Sequence, residues 1–346
     1  MSQPKSLCVL RLSALGDCIN AFGVIGALNK QYPDLKLSWV IDKRFAPLFK
    51  DEQGQDLVPL HTVDFKNQGL KTVLALKKEL SSERFDILLN MQTSIKASLC
   101  SLAIKAQDKY GYDSERSREG QRFFINHQVP SPENKHVLSG FLAFAQSCNL
   151  PVDKPYWDFK LAPELIEKMQ TIIGSDKFMA LSPCSAVQSK NWNIQGNIAM
   201  ANYAYEQGFK VVLIGGPSQI EMQTCNIIAE QCPHCLNLCG KTNLRELAAL
   251  LSLSSLVLSP DSGSMHLASA LNTPVIGLFA RHDDKRVGPW NFMDLNVSVY
   301  EQLAKQELNG QTIPWRYRVK QDQAMDNISI NMVKEMFNHA LATKVV

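Results

Sequence analysis

Apolar positions along the chain follow two alternating rhythms. Leu7–Leu12 is a short apolar run rich in strand formers, and after Ser13–Asp17 the apolar residues take helical spacing through Ile19, Phe22, Ile25 and Leu28. Pro33 and Asp34 end that helix, and Leu35–Ile41 reads as a second strand. Strand, helix and strand in that order form a βαβ unit, whose crossover is right-handed. The rhythm continues with helices over 72–80 and 95–105 and a buried strand at Phe85–Asn90. Tyr110–Tyr112 reads as a short strand, followed by a charged loop over 113–121 and a helix over 136–148.

A proline-rich stretch, Pro151–Pro163, reads as a connection, after which the same pattern restarts. Strands are predicted at 178–182, 210–214, 256–259 and 274–279, and helices at 194–207, 220–231, 244–251, 265–271 and 328–342. Two successive rounds of alternating strands and helices predict an α/β protein of two doubly wound domains. The expected divisions are 1–155, 156–325 and a terminal helical segment, 326–346, able to pack on either domain.

Composition narrows the classes. At 346 residues, with 45% hydrophobic and 20% charged residues, the chain can bury two cores. A net charge of +3 is too small to argue for nucleic acid as a partner. The sequence contains neither an apolar run of spanning length nor a signal-peptide pattern, so the expected location is cytoplasmic. Nine cysteines, mostly in apolar segments, read as free thiols rather than a disulfide framework. Cys232-Pro-His234-Cys235, with Cys225 and Cys239 nearby, has one C-x-x-C pair and no second. A thiol-rich helix end is the expected reading there, and Cys239 is placed at the start of a strand.

Ligands of open α/β sheets bind beyond the carboxyl ends of the strands, which directs attention to the loops after strands. In Ser259–Leu271 either Asp261 or Ser262 can cap a helix, Gly263 allows close approach, and His266 adds a donor beside the free N–H groups of the first turn. Read alone, this is also an ordinary capped helix. Asp17 sits at a strand-to-helix turn, where the helix dipole favours negative charge. The same turn has one glycine, Gly16, where a dinucleotide fingerprint needs three.

Residues 261–279, Asp-Ser-Gly-Ser-Met-His-Leu-Ala-Ser-Ala-Leu-Asn-Thr-Pro-Val-Ile-Gly-Leu-Phe, resemble the signature of the lipopolysaccharide heptosyltransferases, glycosyltransferase family 9. Arg11–Asp17, Tyr110–Asp113 and Gly240-Lys-Thr242-Asn-Leu-Arg-Glu-Leu agree with that family in order and spacing. The resemblance spans most of residues 6–290. It implies a GT-B architecture, two Rossmann-like domains facing across a cleft, with the acceptor bound by the first and the nucleotide sugar by the second. The implied reaction is inverting, independent of metal and free of cofactors. In it Asp17 is the general base that takes a proton from the attacking hydroxyl.

The resemblance further implies a donor site of Ser182, Ser185, Lys190, Glu221, Thr242, Asp261, Ser262, Gly263 and His266. Lys190 lies in a "K-x-W" phosphate loop. Glu221 is the ribose carboxylate, although Gln219 stands where the family often has Glu. The adenine edge would rest on backbone at 238–242. Gly16, Lys43, Arg44, Arg116, Arg118 and Arg122 are the expected acceptor-binding residues, because an anionic saccharide of the lipid A core suits arginine forks. The implied partners are ADP-L-glycero-D-manno-heptose and a lipid A core acceptor at the inner face of the inner membrane, met by peripheral association. Arg11–Asp17 and Ser38–Ile41 look closer to enzymes adding the first heptose, the heptosyltransferase I type.

This sequence departs from the family at Phe279-Ala280-Arg281-His282, where "F-G-x-T" is usual, and at Pro183-Cys184-Ser185. The donor sugar is accordingly open: another nucleotide sugar, or epimerisation of one, is the alternative reading.

Overall fold

The computed structural model describes residues 4–343, and the chain divides into two compact units between Lys160 and Leu161. The first unit holds β1 (Ser6–Leu10), α1 (Leu15–Gln31), β2 (Lys36–Asp42), β3 (Leu60–Val63), α2 (Phe65–Gln68) and α3 (Lys71–Glu79). It continues with β4 (Phe85–Asn90), α4 (Ile95–Ala103), β5 (Ala106–Tyr112), β6 (His127–Val129) and α5 (Val137–Ser147). All five strand pairings are parallel, in the order β3-β2-β1-β4-β5-β6. The central strands are apolar along their length because helices cover both faces of a parallel sheet. Leu7, Cys8, Val9 and Leu10 of β1 are all fully buried.

The second unit begins with α6 (Pro163–Ile173), β7 (Phe178–Leu181), α7 (Ile194–Glu206), β8 (Lys210–Leu213), α8 (Gln219–Gln231) and β9 (Leu236–Asn237). Then come α9 (Leu244–Leu253), β10 (Leu256–Pro260), α10 (Gly263–Ala270), β11 (Val275–Phe279), α11 (Asp284–Val287), β12 (Val297–Ser298), α12 (Tyr300–Glu307) and α13 (Ile330–Ala342). Its sheet is also parallel, ordered β12-β11-β10-β7-β8-β9. Read from β9, this is the same strand order as in the first unit, the doubly wound 3-2-1-4-5-6 arrangement. Chain direction across each sheet therefore reverses once, between β1 and β4 and between β7 and β10.

Pro163, expected to close the connection, instead occupies the first turn of α6, where its missing N–H costs nothing. Cys239, expected at the start of a strand, instead follows β9 and lies in the turn beyond it. The terminal helix α13 packs on α7, with Tyr203 and Phe337 edge to face and the Tyr203 hydroxyl bonded to Asn338. All nine cysteines are free thiols and eight are buried. Burial pushes the Cys100 and Cys148 thiols up to about 12, as expected for packing groups.

Candidate functional site

Each sheet reverses its strand order once, and Gly16 and Asp17 in the first unit, with Lys190, Asp261, Ser262, Gly263 and His266 in the second, lie in the loops and helix starts that follow the strands flanking that reversal. In the first unit, the loops after β1 and β4 are laced together. Gln92 Oε1 accepts from the N–H groups of Leu12 and Ser13 at 2.8 and 3.1 Å. Gln121, fully buried, donates to the carbonyls of Asn90 and Gln92 and accepts from the Tyr112 N–H. Arg11 donates to the Met91 carbonyl and lies 5.3 Å from the centre of the Phe141 ring. Its other terminal nitrogen pairs with Asp17 in the first turn of α1, next to buried Gly16. The Asp17 side chain is 33% exposed while that of Arg11 is 12% exposed. A buried cation thus fixes one oxygen of a carboxylate that remains open to solvent.

In the second unit the loop after β7 meets the loop after β10. Lys190 Nζ donates to the backbone carbonyl of Asp261 at 2.7 Å and to its Oδ2 at 3.1 Å. His282 Nδ1 lies 2.8 Å from the same Oδ2, and His266 Nε2 stands 3.7 Å from Oδ1. The Asp261 side chain is only 12% exposed. Burial by itself would raise its carboxyl, but the His266 and His282 contacts and the Lys190 charge outweigh this and hold it well below the usual carboxylate range. Ser262 caps α10, accepting from the Met265 N–H and sharing a 2.9 Å hydroxyl contact with Ser259. Gly263 follows, so the first N–H groups of an eight-residue helix emerge beside three cationic or ionisable groups.

The remaining expected residues are placed less uniformly. The hydroxyls of Ser182 and Ser185 turn inward to the carbonyls of Cys184 and Val187, so binding phosphate requires them to rotate. Glu221 accepts from the Gly216 N–H at 2.6 Å and from the Ser218 hydroxyl at 2.8 Å, closing the turn after β8. Thr242 is half-buried just before the cap of α9. Lys43, Arg44, Arg118 and Arg122 are exposed; Arg44 pairs with Asp42, and Arg122 lies over Phe123. Arg116 does not reach solvent. It is 4% exposed, bonded to Asp113 and the Val129 carbonyl and stacked on Tyr112. An aspartate three residues earlier in the same turn captures this arginine and makes it a brace for the loop. His282, Arg11 and Gln92 were not read from sequence as site residues.

Residues 73–314 match the family described as glycosyltransferase family 9 (heptosyltransferase). The lipopolysaccharide core heptosyltransferase OpsX of Haemophilus influenzae is 39% identical over 340 residues, 95% of each chain. The structure of the glycosyl transferase family 9 from Veillonella parvula aligns with a TM-score of 0.78, covering 98% of this chain and 97% of that one at 19% identity. E. coli heptosyltransferase WaaC with ADP aligns at 0.72, covering 96% and 99% at 17% identity. At such identities these two structures speak for the fold.

Proposed function

Because the chain belongs to glycosyltransferase family 9, the heptosyltransferases, we propose that it transfers heptose from ADP-heptose to the inner core of lipopolysaccharide. Its closely similar relative OpsX is a lipopolysaccharide core heptosyltransferase by name, which supports the substrate class. The lean toward the first heptose rests on Arg11–Asp17 and Ser38–Ile41; the name OpsX specifies only the core.

The observation that carries the mechanism is the contrast in exposure between the two crevice carboxylates. Asp17 can accept a proton from an entering hydroxyl, while Arg11 holds its second oxygen in place. Attack on the anomeric carbon from the face opposite the leaving group inverts that centre. The departing diphosphate gains charge, and Lys190, His266 and the first N–H groups of α10 supply preorganised donors for it. Asp261, held ionised and buried, orients Lys190, His266 and His282 and is a positioning residue. No metal ion takes part in this chemistry. Arg118, Arg122, Lys43 and Arg44 recognise the anionic acceptor, with Arg116 bracing their loop.

No helix among the described residues is long and apolar enough to cross a membrane. The first unit does expose Leu70 and Leu74, 66% and 69% accessible, flanked by exposed Lys66, Lys71, Lys77 and Lys78. That mixture suits peripheral contact with an anionic bilayer carrying the acceptor.

The decisive assay is transfer from ADP-heptose to a purified deep-rough lipid A core acceptor, with EDTA present to bind Mg²⁺. Product from wild type and about 10²-fold less from Asp17→Ala supports the proposal. No product with this donor, followed by product with another nucleotide sugar, would move the assignment to the second reading, for which the altered Phe279–His282 segment gives a reason.

A further inference from the structure

The end of α8 holds a cluster that the transfer reaction does not use. Cys232, His234 and Cys235 bring two sulfurs and one ring nitrogen within 4.8 Å of one another. The cluster is ordered by the backbone: the Cys232 N–H bonds to Ile228 at the last turn of α8, and the Cys235 N–H bonds back to Cys232 at 2.9 Å. The His234 ring stacks on Tyr205 of α7 with centroids 4.1 Å apart. Its Nε2 is buried and has no hydrogen-bond partner among the described residues. A buried imidazole nitrogen left unpaired is costly, and a ligand there removes the cost.

Two chemistries use a C-x-x-C pair. Redox-active pairs sit at a helix N-terminus, whose positive end stabilises a thiolate. This pair sits at the opposite end of α8, where the partial negative charge of the last carbonyls disfavours a thiolate and attracts a cation. Thiolate sulfur with imidazole nitrogen is the donor set of a tetrahedral, thiophilic first-row ion. We infer that Cys232, His234 and Cys235 bind a zinc-type divalent ion as three ligands, with the fourth position open to water. Binding releases the two thiol protons to solvent.

The ion would pin the turn between the end of α8 and the start of β9, since all three ligands lie within residues 232–235. Its test does not depend on the donor or acceptor being right. Full-length protein, reduced and stripped with chelator, is titrated with Co²⁺ and then Zn²⁺. One equivalent of Co²⁺ should give the charge-transfer and intense red d–d absorption of a tetrahedral thiolate site, displaced by Zn²⁺. Zn²⁺ should raise the melting temperature and slow alkylation of Cys235 about tenfold or more, leaving kcat unchanged. Both Cys235→Ser and His234→Ala should weaken the cobalt spectrum while retaining the wild-type fold by circular dichroism. Absence of the thiolate bands, their persistence in both variants, or a Cys232–Cys235 disulfide in protein purified from cells overturns the inference.

Discussion

The two units share a strand order, and each places an aspartate at its switch point, Asp17 in the first turn of the helix after β1 and Asp261 directly after β10, yet the two carboxylates live in different surroundings. Asp17 has one cationic partner and a third of its side chain in solvent. Asp261 has Lys190, His266 and His282 around it and almost no exposure. A shared strand order leaves the two flanks of the switch point free to take different chemistry, the first-strand side in one unit and the fourth-strand side in the other. An open carboxylate can exchange a proton with a substrate. A buried one held by Lys190, His266 and His282 stays ionised and fixes the positions of its partners.

The strongest way to break this contrast is to neutralise each acid in turn. Asp17→Asn is expected to lower kcat by about 10²–10⁴-fold, with little change in melting temperature, because its neighbour Arg11 keeps the Met91 carbonyl and the Phe141 ring. Asp261→Asn should show the reverse balance. Removing one partner of a buried charge cluster costs about 3 kcal/mol or more of stability, which a denaturant titration reads directly. If Asp17→Asn destabilised the chain as much and left turnover intact, the two roles would have to be exchanged.

How far this contrast was legible beforehand follows from what each feature needs. The central strands announce themselves because both faces are covered, so β1, β4, β7 and β10 are mostly apolar, with polar residues confined to Ser6, Asp86, Asn90 and Ser259. The edge strands β3 and β6 carry His61, Thr62, His127 and Gln128 and are partly exposed, so no apolar run marks them. The strand β12 is two residues long. At the site, Lys190 and Asp261 were legible through their motifs, but their contact spans 71 residues and only the sheet order brings them together. His282 lies in a loop without periodicity; its signal was the departure from "F-G-x-T", which said that something differed and not what it touched. Arg116 misled because local sequence shows charge and not the Asp113 and Tyr112 contacts that bury it.

Lys190 offers a finer cut, since it joins the two jobs of the second crevice. Lys190→Met keeps most of the aliphatic stem and removes the charge. Loss of a charge-assisted hydrogen bond to a diphosphate, worth about 1.5–3 kcal/mol, predicts a donor kcat/KM lowered roughly ten- to hundredfold, with kcat falling because the diphosphate gains charge as it departs. The acceptor KM should stay put. An equal rise in both KM values would place Lys190 outside the donor site.

The smallest effect is a pH dependence that belongs to Asp261 alone. Its folded carboxyl is held well below the ordinary value, so the unfolded chain binds a proton first as pH falls. Stability from this group is then fully present above the unfolded value of about 4 and declines as pH drops through the lower folded value. The measurable quantity is the difference in unfolding free energy between wild type and Asp261→Asn. It should be flat where both folded and unfolded carboxyls are ionised and should narrow steadily below about pH 4. In a Lys190→Met background the same difference should narrow less, because one of the groups holding the Asp261 carboxyl down is gone. Equal narrowing with and without Lys190 would mean that the ring of Lys190, His266 and His282 does not hold Asp261 as the contacts imply, and the positioning role of this acid would lose its electrostatic basis.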